Sequence, residues 1–200
     1  MIHLGDYVDR GSDSRGVIEF LLKRIDADER HVALMGNHDE GFLDFLANPA
    51  NDRLFLNFGG FDTAASYGVL LDIHSGAALA ESHRELLDAM PDAHFAFLRD
   101  LRRSASFGDF FFCHAGVRPG VPLEAQDPHD LIWIRREFLD HAGLFEKVIV
   151  HGHTPVRVPE AKPNRVNVDT RAYETGCLTC LVVEGREKRF LTARAEPHMP

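Results

Sequence analysis

The chain has 200 residues, of which 44% are hydrophobic and 26% are charged, which is typical of a folded globular protein. Its formal net charge of −9 argues against electrostatic binding of nucleic acid, which requires clustered Lys and Arg. It lacks an apolar run of the roughly 20 residues that cross a bilayer, so we expect no membrane association and a cytoplasmic location.

The first half of the chain predicts short strands alternating with helices. Residues 3–7 predict the end of a strand that runs into a loop, and residues 31–35 predict a second strand. Between them, apolar residues recur at helical spacing behind cap candidates at 12–14. A helix is predicted over 41–46, and residues 53–103 are predicted to be mostly helical.

The second half predicts strands rich in β-branched and aromatic residues. They cover residues 110–114, 147–151, 165–169, 178–184 and 188–193. Residues 185–187 predict a turn, and residues 196–200 predict a frayed end. Strands alternating with helices favour an α/β fold, which we expect to form a single domain over residues 1–200.

Polar side chains follow several of the predicted strands. Asp6, Asn37, His114 and His153 each come after an apolar run, in the segment that leaves it. Open α/β sheets bind ligands outside the carboxyl ends of their strands, so such segments can converge. Carboxylate, amide and imidazole donors together suit Mn, Fe or Zn better than Ca. The sequence therefore predicts a metal site.

Four motifs carry a resemblance to a known family. They are GDYVDRG at residues 5–11, GNH at 36–38, HAG at 114–116 and GHTP at 152–155. In order and spacing they resemble the motifs of calcineurin-like metallophosphoesterases. They are most similar to the phosphoprotein phosphatase branch, which includes bacterial Ser/Thr protein phosphatases and symmetrical dinucleoside tetraphosphatases. Further similarity to bacterial members lies at residues 59–68, 133–138 and 167–170.

The resemblance implies a four-layer α/β/β/α sandwich and a centre of two divalent metal ions, with manganese favoured over iron or zinc. Asp6 would bridge the two ions, while Asn37, His114 and His153 would complete the second metal site. A metal-activated water would then attack the phosphorus of the substrate.

The same resemblance implies roles for four further residues. His38 would protonate the leaving group, and Asp9 would orient its imidazole. Arg10 and Arg135 would bind the substrate phosphate, with Arg136 as the alternative to Arg135.

Some residues near these motifs have simpler interpretations. His151 is expected to support the site or to be structural, and Asp39 stands where the family commonly has Glu. His74 resembles a metal motif only by chance. The pair Cys177 and Cys180 lies in a predicted strand, where residues three apart face opposite sides, so we expect no zinc site there.

In the family, a strand ending in G-D-x-H-G precedes the motif that here begins at Gly5 and supplies ligands to the first metal. We therefore expect the first metal site to be incomplete in this chain, and the first β-strand to be missing. A fragment or misplaced start, a truncated one-metal variant and a non-catalytic descendant are the alternatives. The presence of Asp9, Arg10 and His38 favours retained catalysis.

Three functions are consistent with these residues. The first is a serine/threonine protein phosphatase-like phosphomonoesterase, acting on a phosphorylated protein or a small phosphoester. The second is a symmetrical dinucleoside tetraphosphate hydrolase, and the third is an inactive phosphate-binding or interaction module. The lack of a basic patch favours a substrate with one phosphoester.

Overall fold

The computed structural model describes residues 1–51, 53–185 and 187–195. The chain divides into two compact units, Met1–Arg102 and Arg103–Pro200, and each is described by itself. The predicted single domain stays a prediction. The frayed end predicted for 196–200, and residue 186 of the predicted turn, lie outside the described residues.

The first unit is mostly helical. A pair of two-residue strands, β1 (Ile2–His3) and β2 (Val32–Ala33), runs parallel. The helices are α1 (Ser14–Ala27), α2 (Asn37–Ala47), α3 (Arg53–Asn57), α4 (Gly60–Ser66), α5 (Gly76–Ala89) and α6 (Asp92–Arg99).

The helix predicted from the apolar spacing after residue 14 is present as α1. Its N-cap is Asp13, whose carboxylate accepts the backbone N–H of Gly16 at 2.8 Å. Ile18 and Leu21 lie on its buried face. The mostly helical prediction for residues 53–103 is also confirmed by α3 to α6.

Helix α2 begins four residues before the predicted helix start, so Asn37 and His38 belong to its first turn and not to a loop. The carboxylate of Asp39 accepts the backbone N–H of Gly36 at 2.8 Å, which satisfies a donor at the helix N-terminus. Further along α2, Phe42 and Phe45 stack on Phe55 with ring centroids 4.8 and 4.6 Å apart. These aromatic rings anchor α2 in the core of the first unit.

The second unit contains a five-stranded mixed sheet and a separate hairpin. The sheet strands are β3 (Ser104–Phe107), β4 (Phe110–Cys113), β5 (Val148–His151), β6 (Glu160–Ala161) and β7 (Arg165–Asn167). Their order is β3-β4-β5-β7-β6. The hairpin is β8 (Cys177–Glu184) with β9 (Glu187–Arg194), and the helices are α7 (Asp130–Trp133), α8 (Arg136–Leu139) and α9 (Ala172–Thr175).

The three central strands of the sheet, β4, β5 and β7, are parallel, and the edge strands β3 and β6 are antiparallel to them. Phe112 pairs with Val150, so β4 and β5 end side by side. The segments that carry His114 and His153 therefore leave the sheet at the same edge, as predicted.

All five strands predicted in the second half are present, and the α/β fold class is confirmed. The two edge strands β3 and β6 were not predicted, because two to four residues of mixed polarity give no clear alternation. Among the described residues, every helix is too short or too polar to cross a membrane.

Candidate active site

The loop that follows β1 has an unusual backbone. Asp6, Asp9 and Arg10 adopt φ values of 61°, 69° and 60°, in the left-handed region that L-residues other than Asn and Asp seldom occupy. Such conformations cost about 1 kcal/mol or more each, and they are concentrated at functional sites. The motif at residues 5–11 is therefore held in a strained shape by its surroundings.

Two glycines allow this loop to pack against the start of α2. A Cβ at Gly5 would lie 2.4 Å from the backbone nitrogen of Gly36, and a Cβ at Gly36 would lie 2.2 Å from Oδ1 of Asp6. Any side chain at either position would push the two segments apart. The glycines thus bring the Asp6 carboxylate to the first turn of α2, where Oδ1 accepts the N–H of His38 at 3.1 Å.

Asp39 connects the same two segments. Its fully buried carboxylate accepts the backbone N–H groups of Asp6, Tyr7 and Gly36, each at 2.8 Å. Burial and the nearby charge of Asp6 raise the pKa of this carboxyl. From the sequence, Asp39 was interpreted only as a substitution for the Glu common in the family, and this role was not predicted.

His38 and Asp9 form a buried pair, with Nδ1 of the imidazole 2.7 Å from Oδ2 of the carboxylate. Burial alone would lower the pKa of His38, but the bond to Asp9 and the charges of Asp6 and Asp9 raise it above its ordinary value. Burial also raises the pKa of Asp9, against the opposing hydrogen bonds from His38 and Thr63. This geometry suits a proton donor whose ring is oriented by a carboxylate.

Thr63 holds Asp9 in place, and the sequence analysis did not identify it. Its hydroxyl donates to Oδ1 of Asp9 at 3.1 Å and accepts the backbone N–H of Asp9 at 2.8 Å. The two residues are 54 positions apart in the chain. No local pattern predicts such a contact, because it arises only when α4 packs on the loop.

Arg10 is exposed, and its guanidinium carbon lies 5.8 Å from the centre of the Phe58 ring. The turn between α3 and α4 approaches the arginine closely, since a Cβ at Gly59 would lie 2.1 Å from the backbone nitrogen of Arg10. Gly59 has a φ of 119°, which also favours glycine. Thus the first unit brings together Asp6, Asp9, Arg10, Asn37 and His38 around one loop and one helix start.

In the second unit, His114 and His153 lie together at the carboxyl ends of β4 and β5. Their ring centroids are 5.1 Å apart in an edge-to-face arrangement, and both side chains are buried. The backbone of Gly152 donates to the carbonyl of His114 at 2.8 Å. His153 has a φ of 64°, a further strained position, and Trp133 packs edge-on against its ring.

Of the two candidate arginines, Arg135 has a contact beside these histidines. Its Nη1 donates to Oγ1 of Thr154 at 3.4 Å, next to His153 in the chain. Arg136 is the first residue of α8, and both arginines are exposed. The choice of Arg135 over Arg136 as a phosphate ligand stays a prediction.

His151 lies in the core of the second unit. Its side chain is fully buried, its Nδ1 donates to the carbonyl of Gly152 at 3.1 Å, and its ring packs edge-on against Phe138. Burial lowers the pKa of His151 to about 3, so the imidazole is neutral at physiological pH. These contacts fit the structural interpretation.

An open cavity of about 480 Å³ is formed in the second unit by the segment that leads from β4 to α7. It is lined by Arg118, Val121, Ala125, Asp127, His129 and Asp130. Arg118 forms a two-pronged ion pair with Asp130, Nε to Oδ2 at 2.6 Å and Nη2 to Oδ1 at 2.7 Å. Because Asp130 neutralises Arg118, this cavity offers little net attraction for a phosphate.

The donors in each unit fit a divalent transition metal: a carboxylate and an amide in the first, and two imidazoles in the second. In the part of the chain that the structure describes, His, Cys, Asp and Glu side chains do not form a group of three or more able to hold an ion. The joint site of Asp6, Asn37, His114 and His153 therefore stays a prediction.

Comparison with known proteins gives the family. The model of the calcineurin-like phosphoesterases matches residues 1–178, so the chain belongs to that family. A curated relative is the bis(5'-nucleosyl)-tetraphosphatase PrpE [asymmetrical] of Anoxybacillus flavithermus. It is 25% identical over 193 residues, an alignment that covers 89% of this chain and 73% of the relative.

Two solved structures share the fold. One is described as a putative diadenosine tetraphosphatase; it has a TM-score of 0.65 and 19% identity, and the match covers 96% of this chain and 79% of that one. The other is a metallophosphoesterase from Sphaerobacter thermophilus, with a TM-score of 0.50, 15% identity and coverage of 96% and 76%. At these identities the two structures support the fold alone.

Proposed function

We propose that this chain is a metal-dependent phosphoester hydrolase that acts on phosphomonoesters in the manner of a serine/threonine protein phosphatase. The observation that carries the proposal is the buried His38–Asp9 pair beside the Asp6 carboxylate. A phosphate-binding module has no need of an imidazole that a buried carboxylate orients. A hydrolase needs one to protonate the leaving oxygen.

The metal ligands in this proposal are Asp6, Asn37, His114 and His153, with manganese as the favoured ion. When bound, divalent ions would polarise the phosphoryl group as Lewis acids. Arg10 and Arg135 would then orient the phosphate through paired N–H donors. The family membership supports the use of metal, and the donor types in the two units are suitable for it.

His38 acts as the general acid in this scheme. Its Nδ1 is engaged with Asp9, so Nε2 is the atom that would deliver the proton to the leaving oxygen. The raised pKa of His38 keeps the ring protonated over a wider pH range. Asp9 offsets the positive charge, and Thr63 keeps the Asp9 carboxylate in position.

A second candidate function is the hydrolysis of dinucleoside tetraphosphates. It is favoured by the curated relative, which carries the name of an asymmetrical bis(5'-nucleosyl)-tetraphosphatase. The same acid and metal ligands would cleave a phosphoanhydride. Arg118 is paired with Asp130 and so adds little net charge to hold a chain of phosphates, which favours the phosphomonoester.

The test is hydrolysis of p-nitrophenyl phosphate, a phosphoserine peptide and diadenosine tetraphosphate in the presence of Mn²⁺. Release of phosphate from the first two supports the phosphomonoesterase, while cleavage of the third alone supports the second candidate. In that case the products separate symmetrical cleavage, which gives two ADP, from asymmetrical cleavage, which gives ATP and AMP.

A matched pair of variants ties the activity to the proposed acid. His38→Gln should lower kcat by about 100-fold or more, the usual contribution of a positioned general acid. His74→Gln is the control, because His74 forms the same contact with Asp72 at 2.7 Å but on the exposed surface. Equal activity of the two variants would show that His38 is not the proton donor.

A further inference from the structure

Phe58 lies half-exposed in the tight turn between α3 and α4, with 50% of its surface accessible. Its ring meets the imidazole of His38 edge-on, with centroids 6.4 Å apart and planes at 86°. One aromatic ring therefore contacts the proposed proton donor and also lies beneath the guanidinium of Arg10, the proposed phosphate ligand.

The position of this ring is fixed by the backbone that follows it. Gly59 packs so closely on Arg10 that a Cβ would clash with the arginine's backbone nitrogen. The N–H of Phe58 also donates to the carbonyl of Phe55 at 3.4 Å, and Phe55 is fully buried. Phe58 is thus held against the loop and is not a freely moving surface residue.

The chemistry of the proposed reaction places the leaving group near this ring. The leaving oxygen must come within hydrogen-bond reach of His38, about 3 Å from a ring nitrogen. The atoms attached to that oxygen then lie within a few ångströms of the imidazole, where the exposed part of Phe58 is the neighbouring apolar surface.

We propose that Phe58 is a specificity-determining residue whose ring packs against the leaving group, so that aryl phosphomonoesters are hydrolysed more efficiently than alkyl ones such as phosphoserine, which are also substrates. The inference rests on the proposed function, because it takes His38 as the acid. Stacked or edge-on aromatic pairs contribute about 0.5–1.5 kcal/mol beyond the burial of area, which corresponds to roughly a two- to tenfold preference.

A simpler role for Phe58 is to orient Arg10 through the cation–π contact. The two roles predict different outcomes. If Phe58 only positions Arg10, its loss weakens binding of every phosphoester equally, since all of them carry the same phosphate. If the ring holds the leaving group, its loss weakens aryl esters and leaves alkyl esters nearly unchanged.

The test compares phenyl phosphate with glycerol 2-phosphate in the full chain with Mn²⁺, for the wild type, Phe58→Ala, Phe58→Leu and Phe58→Trp. We expect Phe58→Ala and Phe58→Leu to lower the ratio of the two kcat/KM values about two- to tenfold, and Phe58→Trp to keep it. Inhibition constants for phenylphosphonate and methylphosphonate should change in the same way, without a contribution from leaving-group reactivity.

Phe20 supplies the control. It is 52% exposed in α1 and carries the guanidinium of Arg24 at 5.0 Å, so it matches Phe58 in exposure and in its cation–π contact. Phe20→Ala should leave the ratio unchanged. A ratio that Phe58→Ala and Phe58→Leu do not change, or equal losses on both esters, overturns the inference while the proposed function stands. A wild-type chain that hydrolyses neither ester overturns the proposed function, and the inference with it.

Discussion

Thr63 forms two buried hydrogen bonds with Asp9. Its hydroxyl both accepts the Asp9 N–H and donates to the Asp9 carboxylate, and it lies 3.0 Å from the hydroxyl of Ser14. All of these groups are buried. A buried donor or acceptor left unsatisfied costs about 1–3 kcal/mol. Thr63 therefore contributes to stability as well as to the orientation of Asp9.

We predict that Thr63→Val lowers the free energy of unfolding by about 2–4 kcal/mol, since it leaves polar atoms of Asp9 unsatisfied at nearly constant volume. It should also lower kcat by about tenfold, because a less constrained Asp9 orients His38 less well. Urea unfolding measures the first effect, and hydrolysis of p-nitrophenyl phosphate in Mn²⁺ measures the second.

Thr63→Ser is the matched control, since it keeps the hydroxyl and removes only a methyl group. It should retain most of the activity. If Thr63→Val is fully active while its stability falls, the hydroxyl supports the fold and has no part in orienting the acid.

The turn between α3 and α4 approaches the 5–11 loop at Gly59 more closely than any side chain allows. Gly59 and Gly68 both have positive φ values, 119° and 85°, but only Gly59 is crowded. A Cβ at Gly68 would meet nothing within 4 Å. A comparison of substitutions at the two glycines therefore distinguishes the cost of backbone strain from the cost of a steric clash between two segments.

We predict that Gly68→Ala costs about 1 kcal/mol of stability from strain alone, whereas Gly59→Ala costs at least twice as much. Only Gly59→Ala should also raise KM for phosphoesters, because it moves the backbone of Arg10. Thermal unfolding and steady-state kinetics of both variants provide the measurements. Similar behaviour of the two variants would mean that the close contact with Arg10 is not required.

Helices α4 and α6 are joined by a buried hydrogen bond in which one partner, His94, is titratable. The hydroxyl of Tyr67, at the end of α4, lies 2.9 Å from Nδ1 of His94 in α6, and both side chains are buried. Burial lowers the pKa of His94 below its ordinary value. The unfolded chain therefore binds a proton at His94 at a higher pH than the folded chain does.

This difference gives the sign of a pH effect. Above the unfolded pKa of about 6.5, neither state is protonated at His94 and the residue adds no pH dependence. As the pH falls below that value, the unfolded state gains the proton first, so stability decreases. We predict that His94→Gln, which keeps a hydrogen-bonding group but does not titrate, loses less stability than the wild type between pH 7.5 and pH 5.5. Urea unfolding at both pH values measures the difference, and parallel losses would contradict it.

Sequence patterns predicted the helices and strands that depend on the periodicity and order of residues along the chain. The apolar spacing behind Asp13 predicted α1, and the aromatic and β-branched runs predicted the central strands β4, β5 and β7. The short edge strands were missed, and the start of α2 was placed too late. The start of α2 is stabilised by the hydrogen bond from the Gly36 N–H to the Asp39 carboxylate, and the spacing of apolar residues does not predict this contact.

The candidate site was also predicted only in part from the sequence. The sequence motifs predicted the loop of Asp6 and Asp9 and the histidines that follow β4 and β5, because each motif is a short continuous run of residues. The contacts of Thr63, Asp39 and Phe58 could not be predicted in this way. Their roles depend on contacts between distant segments, such as the 54 positions that separate Thr63 from Asp9.

Metal binding can be tested through its effect on the thermal stability of the chain. An ion that binds only the folded state stabilises it by about 2.7 kcal/mol at a concentration 100 times its dissociation constant. With a net charge of −9, the chain also loses some of its repulsion between carboxylates when it binds a cation. We therefore predict that Mn²⁺ raises the Tm of the wild type by several degrees and that EDTA reverses the change.

The variants Asn37→Ala and His153→Ala should each lose most of this Mn²⁺-dependent increase, because each removes one proposed ligand. Asn57→Ala is the control: Asn57 is exposed in α3, and its side chain donates to the carbonyl of Arg53 at 2.7 Å. It should keep the full increase in Tm. Thermal unfolding with and without Mn²⁺ decides the outcome for all three variants. An increase in Asn37→Ala and His153→Ala as large as in Asn57→Ala would show that manganese binds elsewhere on the chain.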